Sequence, residues 1–408
     1  MSFAISSLEL YQFRNYQHLS LDGLGRVMVF VGENGVGKTN ILEALHLITA
    51  CQSFRHASIE ELMMEGCEDK QASIKAVFDN GSRNRDISLF LVPGKRQYRM
   101  NGKARPSTEI KGLAPSVAFT PDDLLLIKGS QSQRRGALDM LGEQLRPGYQ
   151  SVRLDFAEVL RHKNKLLKEG YGAEYLAAIN DMMVTCGAQL TFYRSSLFDK
   201  LAPRIIDQYQ RLSSRKECLT CEYIPSWESH GNIMVEGVST ADDQFADDST
   251  EIQDIVLEAD SQQPAPPTEK NFTPRNISRD FAREMTRQAL NNRLDDEVIR
   301  QRSIIGPHMD TINFFLDGKN ASVYASQGQQ RSIILAWKLA EVDLINELLC
   351  VSPILLLDDV MSELDESRRI ALEECIDLSS QTFITTTNLG YFSDEMVGKS
   401  TIINLPLL

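Results

Sequence analysis

The chain has 408 residues, 42% hydrophobic and 24% charged, a composition that suits two or three globular domains and excludes a fibrous or low-complexity protein. No apolar run approaches the roughly 18 residues a membrane span needs, and Met1-Ser2-Phe3-Ala4-Ile5 carries no secretory pattern. The net charge of −13 does not exclude nucleic acid: ten Asp or Glu and no Lys or Arg lie between Glu236 and Glu269, so the remainder carries only −3.

Residues 1–120 read as strands around one helix. Leu8–Phe13 and Arg26–Val31 are strand candidates, and Val27–Val31 is the continuous apolar run of a buried parallel strand. It leads into Gly32-Glu33-Asn34-Gly35-Val36-Gly37-Lys38-Thr39, which fits the phosphate-loop pattern G-x-x-x-x-G-K-[ST]. Glycines let backbone N–H groups converge on phosphates at a helix N-terminus. In that setting Lys38 reaches the β- and γ-phosphates of ATP, and the Thr39 hydroxyl ligates Mg²⁺. Thr39–Ala50 follows with Ile41, Leu42, Leu45 and Ile48 on one face. Ser73–Phe78 and Asp86–Val92 alternate like half-buried strands, and Asn101-Gly102 is a hairpin turn.

From 121 to 300 the pattern is mainly helical. Clustered positives, Arg134-Arg135 and Arg161, Lys163 and Lys165, are candidate DNA-phosphate contacts, and Arg275, Arg279, Arg283 and Arg287 recur four apart. Residues 215–275 lose periodicity, carry the acidic run and end in Pro264–Pro267, which reads as a disordered acidic insertion. Cys218-x-x-Cys221 has no second pair, so a zinc site is not expected. Seven scattered cysteines point instead to reduced thiols in the cytoplasm.

Residues 301–408 return to alternating strands and helices. Ser326-Gln327-Gly328-Gln329 precedes an amphipathic helix, with Ser326 a candidate N-cap and the free amides an anion site. Ile354–Asp359 is an apolar strand ending in two carboxylates. Asp358 suits the Mg²⁺ shell, and Asp359 suits the group that orients or deprotonates the attacking water. Thr386-Thr387-Asn388, after a strand at Thr382–Thr385, has no assigned role, and His308 is a turn residue or a nucleotide sensor.

A phosphate loop, Ser-x-Gly-Gln, an apolar-Asp-Asp strand and Ser362-Glu363-Leu364-Asp365, in that order, resemble the ABC-type ATPase head. The resemblance implies an α/β fold whose P-loop ATPase head is built from both chain ends (1–120 and 301–408), with an inserted, mainly helical second lobe. It also implies an ATP-dependent homodimer in which Ser326, Gln327, Gly328 and Gln329 contact ATP held by the other protomer. Ser362–Asp365 is then the loop at the dimer interface.

Within that class, Phe13-Arg14-Asn15-Tyr16, Thr39–Ala44, Ser53-Phe54-Arg55, Phe119–Leu124, Arg134-Arg135, Leu138-Asp139 and Gly306-Pro307-His308 resemble the bacterial RecF family. Gln131, Ala137, Met309 and Thr311 depart from its pattern, as does the acidic insertion. The resemblance implies a slow ATPase that binds double-stranded DNA at gapped junctions. It further implies help in loading RecA with RecO and RecR, in recombinational repair and the SOS response, and a nucleotide neighbourhood for Arg14 and Asn15. The competing readings are an SMC-like or a defence-system ABC-type ATPase. An SMC arm needs sustained heptads, which the middle of this chain lacks.

Overall fold

The computed structural model describes residues 3–67, 70–170, 172–213, 217–229, 272–378 and 381–406. The acidic run from Glu236 to Glu269 lies outside the described residues. In chain order the strands are β1 (Ala4–Phe13), β2 (Tyr16–Asp22), β3 (Val27–Val31), β4 (Ala72–Asp79), β5 (Asn84–Val92), β6 (Lys95–Met100) and β7 (Lys103–Arg105). Then come β8 (Ser116–Phe119), β9 (Leu219–Ile224), β10 (Thr311–Leu316), β11 (Lys319–Asn320), β12 (Ile354–Asp358), β13 (Gln381–Thr386) and β14 (Thr401–Asn404). The longer helices are α1 (Lys38–Thr49), α2 (Gln131–Leu145), α3 (Tyr149–Glu169), α4 (Ala173–Leu212), α5 (Arg279–Asn292), α6 (Leu294–Arg300), α7 (Gln327–Leu349) and α8 (Glu366–Leu378).

Two sheets sandwich α1. One is wholly parallel, in the order β14-β3-β13-β12-β8, and draws its strands from both ends of the chain. The other is antiparallel, in the order β2-β1-β4-β5-β6-β7. Ile41, Leu42, Leu45 and Ile48 of α1 share a core with Phe30, Leu356 and Phe383 of the parallel sheet and with Leu8, Ile74 and Leu89 of the antiparallel one. Alternate residues of the buried strands turn the other way: Val29, Leu355, Leu357 and Ile384 pack with Ile333 and Trp337 of α7. Period-2 side-chain alternation thus splits each apolar strand between two cores. Leu356 is fully buried, and truncating it to Ala would cost about 3 kcal/mol.

The helical region is continuous with this body at one end. Leu197, Phe198, Leu201, Ile205 and Tyr209, in the second half of α4, lie in the α7 core, whereas Leu176, Ile179 and Met183 of its first half pack with Phe156 and Val159 of α3. The aperiodic stretch expected from residue 215 needs correction at its start. Leu219–Ile224 form β9, antiparallel to β10, with Leu219, Cys221 and Tyr223 buried in alternation. Among the described residues no helix is long and apolar enough to cross a membrane.

Candidate nucleotide-binding and hydrolysis site

The phosphate loop leaves β3 at its C-terminal edge, where parallel sheets bind ligands, and enters α1 at Lys38. Gly37 has φ +104°, a left-handed conformation that disfavours side chains. A Cβ there would also lie 2.6 Å from Asn15 Nδ2 and 2.8 Å from the Tyr16 hydroxyl. Lys38 is buried, and its ammonium donates to the Gly32 carbonyl at 2.6 Å and the Glu33 carbonyl at 2.8 Å. The cation therefore lies over the loop's backbone, where a triphosphate can compete for it.

The Phe13–Tyr16 segment braces this loop. Asn15 Nδ2 donates to the Val36 carbonyl at 3.2 Å, Asn40 donates to Asn15 Oδ1 at 2.8 Å, and Arg55 donates to Asn40 Oδ1 at 3.1 Å. Arg14 instead forms a two-pronged ion pair with the buried Glu43 of α1, at 2.8 and 2.9 Å. Its guanidinium ties β1 to the helix.

At the end of β12, Asp358 Oδ1 accepts from the Thr39 hydroxyl at 2.8 Å and from the Thr385 hydroxyl at 2.7 Å. Thr39 and Asp358 can thus hold a Mg²⁺ ion between phosphate loop and strand. The next residue, Asp359, has φ +51°; its N–H donates to the Thr385 hydroxyl at 3.0 Å and to the Thr385 carbonyl at 3.1 Å. Burial raises the Asp359 carboxyl above the usual carboxylate range, opposed by Lys38 and reinforced by Asp358 and Glu363. Its Oδ1 has no hydrogen-bond partner among the described residues. A half-buried, raised carboxyl with a free oxygen is the form a general base takes.

The signature segment forms a capping box. Ser326 Oγ accepts from Gln329 N–H at 3.3 Å, and Gln329 Oε1 accepts from Ser326 N–H at 2.6 Å. Ser326 and Gln327 are exposed, and Gly328 is tied down by Arg368, which donates to its carbonyl at 3.0 Å. Gln329 is engaged within its own subunit, its amide donating to Glu217 at 2.8 Å. In the following loop Ser362 and Asp365 are exposed, and Glu363 pairs with Arg331 at 3.3 Å. The expectation for Leu364 needs correction: it is buried in the α7 core and anchors the loop rather than lying on an interface.

Two of the expected DNA contacts are structural. Arg134 is buried and donates to the carbonyls of Leu126, Ile127 and Ile312 at 2.7, 2.5 and 3.1 Å, with burial pushing its guanidinium down to about 10. It ties the 120s segment to β10. Lys163 is fully buried against Glu297 at 2.6 Å, pinning α3 to α6. Arg135 is half-buried and donates to the Asp310 carbonyl at 2.7 Å, while Arg161 and Lys165 are exposed. Cys221 is in the core, and no metal-holding cluster of His, Cys, Asp or Glu occurs among the described residues. His308 is partly buried beside Phe156, and desolvation lowers its imidazole to about 3, which favours the neutral form. Thr385 was not predicted as a site residue. Only the register of β12 and β13 sets it beside Asp358.

Residues 4–402 match the family model described as the RecF/RecN/SMC N-terminal domain. The chain is 33% identical to the DNA replication and repair protein RecF of Heliobacterium modesticaldum, covering 98% of this chain and 97% of that one. It is 31% identical to the protein of the same name from Enterococcus faecalis, over 96% and 94%. Among solved structures it is similar to the recombination mediator protein RecF-ATP in the RecFOR pathway, with a TM-score of 0.77 and 26% identity over 96% of this chain and 93% of that one. The corresponding RecF-ATPrS structure gives 0.78 and 25%, over 96% and 94%.

Proposed function

We propose that this chain, which belongs to the RecF family of the RecF/RecN/SMC proteins, uses ATP to close a head-to-head homodimer on double-stranded DNA beside single-strand gaps. The chain is an ATPase of DNA replication and repair. Its ATP cycle times DNA occupancy and so promotes RecA loading with RecO and RecR in the cytoplasm. The RecFOR pathway of its structural relatives supports that assignment.

In this reading Lys38 leaves the Gly32 and Glu33 carbonyls for the β- and γ-phosphates, and the loop amides from Gly35 to Thr39 cradle them. Thr39 and Asp358 would hold a Mg²⁺ ion, which would supply charge neutralisation to the triphosphate. Asp359 takes the proton of the attacking water. The exposed Ser326 end of α7 binds the γ-phosphate of the partner subunit's nucleotide, with Gln327 and Gly328 beside it, and Ser362, Glu363 and Asp365 border the contact. The observation that carries the reading is a division of labour. Residues 319 apart in sequence, Thr39 and Asp358, meet in one site, while the capped end of the signature helix faces solvent.

The test is mobility of a gapped duplex with and without ATP, at low and raised salt, with Lys38→Ala as the nucleotide-binding control. A salt-sensitive shift that needs both ATP and Lys38 is expected. Unchanged mobility with and without ATP would sink the reading.

A further inference from the structure

We propose that the outer edge of the antiparallel sheet, β5 to β7 with the cleft beneath it, is the surface that contacts duplex phosphates. This rests on the DNA reading above and gives it a location. Between Arg83 and Arg105 the sequence has seven Lys or Arg against one Asp, in a chain whose net charge is −13. The sheet order sets β7 outermost, so these cations line an edge rather than a core.

The register distributes them over both faces of that edge. Lys95 and Arg99 lie opposite Val92 and Ser88 of β5 and are exposed; the Arg99 guanidinium stacks on Phe90, 4.8 Å from its ring centroid. Tyr98 between them is buried the other way, its hydroxyl donating to the Leu47 carbonyl of α1 at 3.0 Å. Around Tyr98, Arg96 and Arg105 with Gln97, Ser107 and Gln150 line a cavity of about 480 Å³, which no carboxylate lines among the described residues. Arg83, Lys95, Arg99 and Lys103 form no ion pair with any described residue. On the cleft side Arg105 pairs with the exposed Glu109 at 3.1 Å, so the unpaired charge of the hairpin comes from Lys95, Arg99 and Lys103 with Arg96 in the cleft.

A partner for such a surface must be polyanionic and extended. Duplex DNA, with two phosphates for every 3.4 Å or so of axis, has that charge density. Strand residues four apart are separated by roughly 13 Å, so Lys95 and Arg99 can reach separate phosphates along one backbone. Because the contacts are to phosphate, binding is independent of base sequence. The β7 strand end and the start of α3 meet at Ser107 and Gln150, 3.4 Å apart, which continues the surface toward the helix that carries the exposed Arg161 and Lys165.

The test is the salt dependence of duplex affinity, by fluorescence anisotropy with ATP, for the full chain and for Lys95→Gln/Arg99→Gln/Lys103→Gln. Each lost contact should flatten the log–log slope by about 0.9, and affinity should fall at least tenfold while basal ATP turnover is unchanged. A second variant, Arg96→Gln/Arg105→Gln, tests the cleft separately. If the unaltered protein does not bind duplex at all, the DNA reading fails and this proposal with it. If it binds and both variants keep its slope and affinity, the proposal alone is overturned, and the cations serve only to guard a sheet edge against pairing.

Discussion

Thr385 and Asp358 stand side by side at the ends of adjacent parallel strands, paired in register, and the threonine hydroxyl donates to Asp358 Oδ1 at 2.7 Å. The same hydroxyl accepts the Asp359 N–H at 3.0 Å and so holds a residue whose φ is +51°. One side chain thereby orients the Asp358 carboxylate and holds the backbone of Asp359.

Thr385→Val keeps the shape and removes the hydrogen bonds. A hydrogen bond to a charged group contributes about 1.5–3 kcal/mol, so ATP turnover should fall by roughly tenfold or more, with a higher Mg²⁺ requirement. Thr385→Ser should restore both. Steady-state turnover across a Mg²⁺ titration measures this, and an unaltered Mg²⁺ dependence in the valine variant would contradict it.

Asp359→Asn should bind ATP and remain dimeric, because in the proposed cycle assembly needs nucleotide while separation needs hydrolysis. Light scattering in saturating ATP checks it; a monomer there refutes the assignment. The raised carboxyl of Asp359 has a further consequence for pH. The group is active when ionised, so turnover should decline as pH falls, and the decline should begin above the ordinary Asp range near 3.9. An acid limb at or below that range in a kcat–pH profile would show that Asp359 is not the base.

Ser326→Arg sets a long cation where the partner's γ-phosphate is expected to dock. Nucleotide binding by the monomer should survive and ATP-dependent dimerisation should be lost. The residue is also an N-cap, whose loss costs about 1 kcal/mol, so a small drop in Tm is expected alongside. Dimerisation like that of the unaltered protein would remove the signature helix from the interface.

Lys163→Gln should destabilise the protein strongly, because it strands the buried Glu297, and breaking such a pair costs about 3–5 kcal/mol. Arg161→Gln, two positions earlier and exposed, should change stability little. Chemical denaturation of the two variants compares them directly. Equal stabilities would mean that α3 is not held to α6 by this pair.

The nucleotide parts were legible because each is a contiguous motif with its own context: an apolar strand, a glycine turn and a helix for Gly32–Thr39, and a strand running into carboxylates at Asp358-Asp359. The contribution of Thr385 was not, since nothing local distinguishes it and only strand register joins it to residue 358. Lys163 was misread as surface although its spacing carried a warning: Phe156, Val159, Lys163 and Leu167 form one buried stripe on α3. Arg134 gave no such signal, because its partners are backbone carbonyls, which no residue type marks, and one of them, that of Ile312, lies 178 residues away. The alternation Leu219, Cys221, Tyr223 was readable as a strand but was taken into the aperiodic stretch beside the acidic run. The basic edge of the sheet was passed over for the opposite reason. Its cations are interleaved with Gln97, Tyr98 and Met100, and only the sheet order sets them at a rim.

The parallel sheet has β3 lodged between β13 and β14, and the Leu405 N–H donates to the Val31 carbonyl at 2.7 Å. During synthesis, therefore, the phosphate loop emerges from the ribosome long before the strands that must flank it. A nascent chain halted before about residue 381 would carry the loop without either neighbour. Domains generally fold as units, so interrupted translation products should be unable to trap nucleotide or to pair unproductively with finished copies.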